Sequence, residues 1–365
     1  MRIEEDIKLD YSDVLIRPKR STLRSRFDVN MERRYEFVNS KKVWTGIPIM
    51  ASNMDTVGTF EMHRALSEHK VITCIAKHYN ADPDNWWKLP YENSTNTLCV
   101  MGGIADWDMD QTINIWKNTR PAFIGLDVAN GYTISFVDAV KKLRDACPDA
   151  TIIAGNVVTA DQTQELILSG ADIIKVGVGP GSVCTTRIKT GVGYPQLSAV
   201  MECADAAHGL DGHIIADGGC NNSGDIAKAF AGGADFVMIG GMLAGHDECD
   251  GELVTKYYTT GEQWFDKKNE TYHPVIENKK TMKFYGMSSN TAMDRHKVGK
   301  REYRGEEGKT VEVDYKGPVK DTIIDILSGV RSACTYVGAK KLKTLSKCST
   351  FVRVNNTHNT VFGES

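Results

Sequence analysis

TIIAGNVVTADQTQELILSGADIIKVGVG, residues Thr151 to Gly179, is the stretch whose reading decides the fold. An apolar run (TIIAGNV) ends in Gly and Asn. It is followed by a segment with a polar start and apolar residues at i, i+3, i+4 spacing (Ala160 to Ala171), a glycine stop, and a second apolar run (DIIKVGVG). Strand, helix and strand in that order make a parallel βαβ unit, and strands apolar on both faces belong in a sheet covered on both sides.

The same alternation extends in both directions. IPIMAS from Ile47, VITCIAK from Val71, TLCVMGG from Thr97 and FIGLDVAN from Phe123 precede it; HIIADGG from His213 and FVMIGG from Phe236 follow. Helix-length segments such as SGDIAKAFAGGA (Ser223 to Ala234) lie between. Eight runs of this kind predict an α/β chain folded as a (β/α)8 TIM barrel, with an open doubly wound sheet as the alternative. Barrel chemistry sits at the C-terminal ends of the strands. Those ends carry Asn53, Asp55, Lys77, Asp127, Asn156, the loop GVGPGSVCTTR (Gly177 to Arg187), Asp217 and the Gly240-Gly241 pair.

A length of 365 residues fits two average domains or one large barrel, and the eight runs favour one barrel spanning residues 1–365. After the eighth run, a polar, turn-rich insertion of about residues 247–283 reads as β-hairpins or an ordered flap. A second polar stretch, residues 296–317, reads either as a mobile lid able to close over an anion or as a solvated loop.

The net charge of -3 supplies no general attraction to nucleic acid or anionic membrane, so neither is expected as a partner. Lys19, Arg20, Arg24 and Arg26 form a local basic cluster, either a solvated face or a contact for a cofactor phosphate. The nine cysteines are odd in number and lack a CxxC pair, which favours a reducing compartment over a disulfide framework. The acidic start MRIEEDIKLD is not a signal peptide, and no apolar run is long enough to span a bilayer. The expected location is the cytoplasm.

Glycine turns after the seventh and eighth runs, Gly218-Gly219 and Gly240-Gly241, expose backbone N–H groups where barrels hold phosphate. Asp217 beside them is placed to accept from a ribose diol, or else acts as a turn or cap residue. Cys74, Cys99 and Cys334 have apolar neighbours and read as core. Cys184 lies in a Gly-Pro-Gly-Ser loop where packing gives it no role, so it reads as a nucleophile, with loop N–H groups and Arg187 placed to stabilise its thiolate. Thr185 and Thr186 offer hydroxyls for proton transfer. Histidine and carboxylate spacings show no catalytic-metal motif, while the loop carbonyls suit a monovalent cation.

At these residues the chain resembles the family of IMP dehydrogenase and GMP reductase, and within it the reductase branch. The resemblance runs through KLDYSDVLIRPKRSTLRSR (Lys8 to Arg26), NMDTVGTFEM (Asn53 to Met62), LDVANGY (Leu126 to Tyr132), AGNVVT (Ala154 to Thr159), the Cys184 loop, GVGYPQLSAVMECADAAHG (Gly191 to Gly209), FYGMSS (Phe284 to Ser289) and EYRGEEGKTVEV (Glu302 to Val313). It implies reductive deamination of GMP to IMP and ammonia by NADPH through a thioimidate on Cys184, with Thr186 and Glu307 relaying protons, in purine interconversion and salvage. It implies GMP contacts from Ser182, Asp217, Gly218, Gly219, Gly240, Gly241, Gly286, Met287, Ser288, Arg304 and Gly308. It implies NADPH contacts from Ser25, Arg26, Lys77, Asp127, Val128, Ala129, Val178, Gly179, Met287, Tyr303 and Ser332. A potassium site at Gly179, Gly181, Cys184 and Arg187, and a homotetramer or larger homo-oligomer, follow from the same resemblance. Between Lys77 and Phe123 the sequence leaves no room for the regulatory CBS domain of the dehydrogenases, and the segment bearing Glu307 lacks their Arg-Tyr pair. The insertion exceeds the usual reductase loop. The rival readings are IMP dehydrogenase, a non-catalytic nucleotide sensor and, more distantly, a flavin-dependent barrel.

Overall fold

A computed structural model describes residues 3–81, 94–296 and 305–355. After two short strands, β1 (Val14–Ile16) and β2 (Arg33–Glu36), come eight parallel strands. They are β3 (Val43–Ala51), β4 (Val71–Ile75), β5 (Leu98–Gly102), β6 (Phe123–Asp127), β7 (Ile152–Val157), β8 (Ile173–Val176), β9 (His213–Asp217) and β10 (Phe236–Ile239). Each pairs with the next, and β10 returns to β3 through Val237↔Ile49, Met238↔Met50 and Ile239↔Ala51. The chain is a closed (β/α)8 barrel, with the eight strands where the apolar runs place them.

Strand parity divides the core. Met50, Ile72, Cys74, Cys99, Met101, Phe123, Ile153, Ile173, Ile215, Phe236 and Met238 form one buried cluster inside the barrel, and residues of the opposite parity pack beneath the helices. The N-terminal end of the interior is plugged by Tyr35, Phe37 and Trp44, from β2, β3 and the turn between them. Tyr35 stacks on Phe236 at 4.6 Å between ring centroids, and Trp44 meets Phe123 edge-on at 5.6 Å. That end is packed with aromatics, which leaves the C-terminal mouth for polar chemistry.

Below the plug, Asp235 is buried and tied to Arg33 (3.2 Å), His208 (2.8 Å) and the Ile214 N–H (3.1 Å). Burial pushes its carboxyl up, but the His208 and His213 hydrogen bonds and the Arg33 charge outweigh that and hold it well below the usual carboxylate range. The hydrogen bond to Asp235 likewise raises the His208 imidazole, despite partial burial. The Asp235 contribution to stability is therefore present above its unfolded pKa of about 4 and is lost as pH falls through the depressed folded value. The His208 contribution is complete below about pH 6.5 and fades as pH rises through the raised folded value. Urea unfolding of His208→Gln against wild type should show its largest gap below about pH 6.5 and a closing gap above it.

Helices follow the strands. Asn222 caps Ser223–Ala231 by accepting from the Asp225 N–H, and Gly232 ends it. The final long helix, Val319–Val337, packs on Ser223–Ala231 and on Phe60–Ser67, sealing the barrel beside the β10–β3 seam. Among the described residues no helix is long and apolar enough to cross a membrane.

The insertion forms a hairpin of β11 (Leu253–Asp266) and β12 (Thr271–Tyr285), exposed except near its base, where Met282, Phe284 and Tyr285 are buried. In the stretch read as a lid, β13 (Thr310–Asp314) pairs antiparallel with Thr281 to Tyr285, so this part is a regular strand of a sheet. Residues 297–304 lie outside the described residues. A last strand, β14 (Phe351–Arg353), pairs with β1.

Candidate active site

The loop after β8 turns on glycines. Gly177 and Gly179 have φ of +153° and +84°, and a Cβ on Gly179 would lie 2.5 Å from the Arg187 side chain. Arg187 itself donates to Asp10 (3.2 Å) and to the Tyr194 carbonyl. Its guanidinium braces the loop from behind, and its hydrogen bonds are spent there instead of on the thiol.

Three segments are laced together around Cys184. Cys184 bridges Gly308, the Thr185 N–H reaches the Glu307 carbonyl (2.9 Å), the Lys309 N–H reaches the Val183 carbonyl (2.9 Å), and the Gly286 N–H reaches the Lys309 carbonyl (3.1 Å). Gly286 and Gly308 permit the approach: a Cβ on Gly286 would stand 3.1 Å from the Gly308 Cα. This lacing delivers a side-chain relay. Cys184 Sγ donates to Thr186 Oγ1 at 3.3 Å, and Thr186 Oγ1 donates to Glu307 Oε2 at 2.7 Å. The adjacent Glu306 faces elsewhere, accepting from the Asn290 N–H (3.1 Å) and side-chain amide (2.9 Å). A thiol, a hydroxyl and a carboxylate in series can move a proton to or from whatever the sulfur attacks.

Beside the relay, Gly218 and Gly219 take φ of +87° and +83° at the end of β9, close to Pro180, Gly181 and Gln196. Gly241 lies against Ser182, where a Cβ would be 3.0 Å from the serine hydroxyl. A cavity of about 300 Å³ opens here, lined by Ser182, Val183, Cys220, Gly241, Met242 and Phe284 among others. Backbone turns from β9 and β10 and a hydroxyl converge at the barrel's usual anion position. Met287 accepts from the Asp55 N–H through its sulfur (3.4 Å), and Ser288 is half-buried beside it.

The residues expected to touch a dinucleotide fall into two groups. Lys77, Asp127, Val128 and Ala129 follow β4 and β6 at the mouth, with Val178 and Gly179 in the Cys184 loop. Lys77 Nζ stands 3.8 Å from Asp108, 43% exposed and available to an anion. Ser25 and Arg26 are exposed in a turn that packs on the helix Val319–Val337, which carries Ser332. Tyr303 and Arg304 lie outside the described residues. For a monovalent cation, the Gly179 and Cys184 carbonyls accept no hydrogen bond among the described residues. The Gly181 and Arg187 carbonyls take one each, from Cys184 N–H (3.0 Å) and Gly191 N–H (3.1 Å), and keep a lone pair. Four neutral oxygens of this kind suit potassium.

Two features escaped the sequence reading. Lys175 rises inside the barrel between Asp127 and Asp217, at 3.0 and 2.9 Å. Burial would push its ammonium down, but the charge and hydrogen bonds of the two carboxylates outweigh burial and hold it above the usual lysine value. The second is the set of partners around Asp55, a strand-end residue buried at the mouth. It meets His296 Nε2 and the Tyr285 hydroxyl (3.3 Å), and His296 stacks on His78. Burial, reinforced by the positive charges nearby, pushes the His78 imidazole down to about 4 despite Asp55. The sequence separation of Asp55, His78, Tyr285 and His296 hid their meeting.

The model of the "IMP dehydrogenase / GMP reductase domain" matches residues 8–361. The human protein GMP reductase 1 is 56% identical, with 99% of each chain covered. GMP reductase of Klebsiella pneumoniae is 55% identical over 99% of each chain, and that of Phytophthora infestans is 54% identical over 100% of this chain and 95% of its own. With a family model spanning the barrel and its thiol loop, and relatives aligned almost end to end, the chain belongs to the IMP dehydrogenase and GMP reductase family.

Proposed function

We propose that this chain is an NADPH-dependent GMP reductase, converting GMP to IMP and ammonia. The observation that carries the reading is the Cys184–Thr186–Glu307 hydrogen-bonded series beside the glycine cradle of β9 and β10. A binding module needs neither the nucleophile nor a proton relay attached to it. The names of the relatives favour the reductase over the dehydrogenase.

In this reading Ser182, Gly218, Gly219, Gly240 and Gly241 hold the phosphate, and Asp217 the ribose. Gly286, Met287, Ser288, Arg304 and Gly308 enclose the base. Cys184 loses its proton through Thr186 to Glu307 and adds to C2 of the purine. The same proton returns through Thr186 to the 2-amino group, which leaves as ammonia and breaks the C2–N bond. A thioimidate remains on Cys184. NADPH, when bound, would supply a hydride to C2. The C2–S bond then breaks to give IMP, and the sulfur is reprotonated along the relay by a second proton, drawn from solvent through Glu307. Positioned proton transfer of this kind contributes about 10²–10⁴ in rate.

The residues present fit the cofactor. Asp127 keeps one carboxylate oxygen open toward the mouth, and Lys77 and Arg26 are exposed cations suited to its phosphates. Ser25, Val128, Ala129, Val178, Gly179, Met287, Tyr303 and Ser332 complete the set. Potassium, held by the carbonyls of Gly179, Gly181, Cys184 and Arg187, would fix the loop that carries the nucleophile. A homotetramer and a cytoplasmic place in purine salvage belong to the same reading.

Chromatography after incubation with GMP and NADPH should find IMP in step with NADPH consumed. XMP formed from IMP and NAD would instead favour the dehydrogenase.

A further inference from the structure

Lys175 has no assigned part in the reaction, yet it stands between the two aspartates read as ligand contacts. Strand parity puts it there: Ile173 belongs to the barrel interior, so Lys175, two residues on, points the same way. Its side chain is only 5% exposed. The neighbouring strand makes room, because a Cβ on Gly155 would lie 2.5 Å from the Lys175 Cβ. The glycine of AGNV is the space through which the lysine stem rises.

What the ammonium grips is specific. It meets Oδ2 of Asp127 at 3.0 Å and Oδ2 of Asp217 at 2.9 Å. The same two oxygens accept from the amides of Asn53 (2.7 Å) and Asn156 (2.8 Å) respectively. Each carboxylate is therefore held twice by one oxygen. Oδ1 of each has no donor among the described residues, and the two side chains keep 24% and 20% exposure at the mouth. Two carboxylates sharing one lysine would repel each other without it.

We propose that Lys175 is a positioning residue that couples the two ligand sites, holding Asp217 and Asp127 by Oδ2 so that one Oδ1 faces the nucleotide ribose and the other the nicotinamide cofactor. This rests on the reading of Asp217 and Asp127 as ligand contacts. A disturbance at one carboxylate is passed to the other through the shared cation. Substrate and cofactor affinity then depend on one residue that touches neither.

The test replaces Lys175 with methionine, which keeps an apolar stem and removes the charge. KM for GMP and KM for NADPH should both rise about tenfold or more, the loss of two charge-assisted hydrogen bonds. The pH profile should gain an ionisation near neutrality as one of the unpaired carboxylates titrates. Either KM unchanged within about twofold, with no new ionisation, would overturn the proposal. Should Lys175→Met fail to fold, Asp127→Asn serves: coupling predicts that KM for GMP rises along with KM for NADPH, and a change confined to NADPH refutes it. Wild-type turnover is measured alongside. Its absence would sink the functional reading, whereas normal wild-type turnover with unaffected variants sinks this proposal alone.

Discussion

Cys184→Ala should lose GMP-dependent NADPH oxidation by about 10⁴-fold or more while binding GMP within about threefold of wild type. The asymmetry follows from the architecture. In the proposed site the phosphate would rest on the backbone after β9 and β10 and on Ser182, and the ribose on Asp217 of β9, so nothing that would grip the nucleotide depends on the sulfur. Cys184 is held by its backbone, through the bridge to Gly308 and the N–H bond to Gly181, and alanine keeps both. Calorimetry with GMP and a coupled turnover assay separate the two effects. A variant that still turns over at near wild-type rate would remove the nucleophile from the mechanism.

Glu307→Gln is the second large effect, an expected loss of about 10²–10⁴ in kcat with KM for GMP little changed. Glutamine can still accept from the Thr186 hydroxyl through its amide oxygen, so the 2.7 Å contact survives in shape, but it cannot take up and return a proton. Thr186→Val interrupts the same path one atom earlier. The double variant should therefore be scarcely slower than the worse single one, since both remove one relay. Glu306→Gln should cost far less, because Glu306 is engaged with Asn290. Equal losses at 306 and 307 would show that the effect is general charge and not the relay.

The barrel was readable because each parallel strand is buried on both faces and so appears as an uninterrupted apolar run, while the glycine and aspartate at its end mark where chain and chemistry turn. Cys184 stood out for the opposite reason, a thiol among glycines with nothing to pack against. The link from Thr186 to Glu307 spans 121 residues and came to the sequence reading through resemblance; the geometry joins them through backbone bonds between two loops. Lys175 was hidden inside an apolar run. Its signal was the parity shared with Ile173, together with a glycine at 155 on the next strand. Arg187 misled in a different way: proximity in sequence suggested a partner for the thiol, whereas its guanidinium turns back to Asp10 and Tyr194. The end of the lid stretch proved to be strand because alternation in TVEVD pairs it with the base of the inserted hairpin.

In the proposed reaction the sulfur of Cys184 carries the purine while ammonia leaves and a hydride arrives at C2. Turnover of GMP with NADPH carrying deuterium at the transferable position should release one ammonia per NADPH oxidised and leave one deuterium at C2 of the IMP formed, with no NADH from IMP and NAD. Deamination of GMP without nicotinamide oxidation, or NADH formation from IMP, would contradict that reaction.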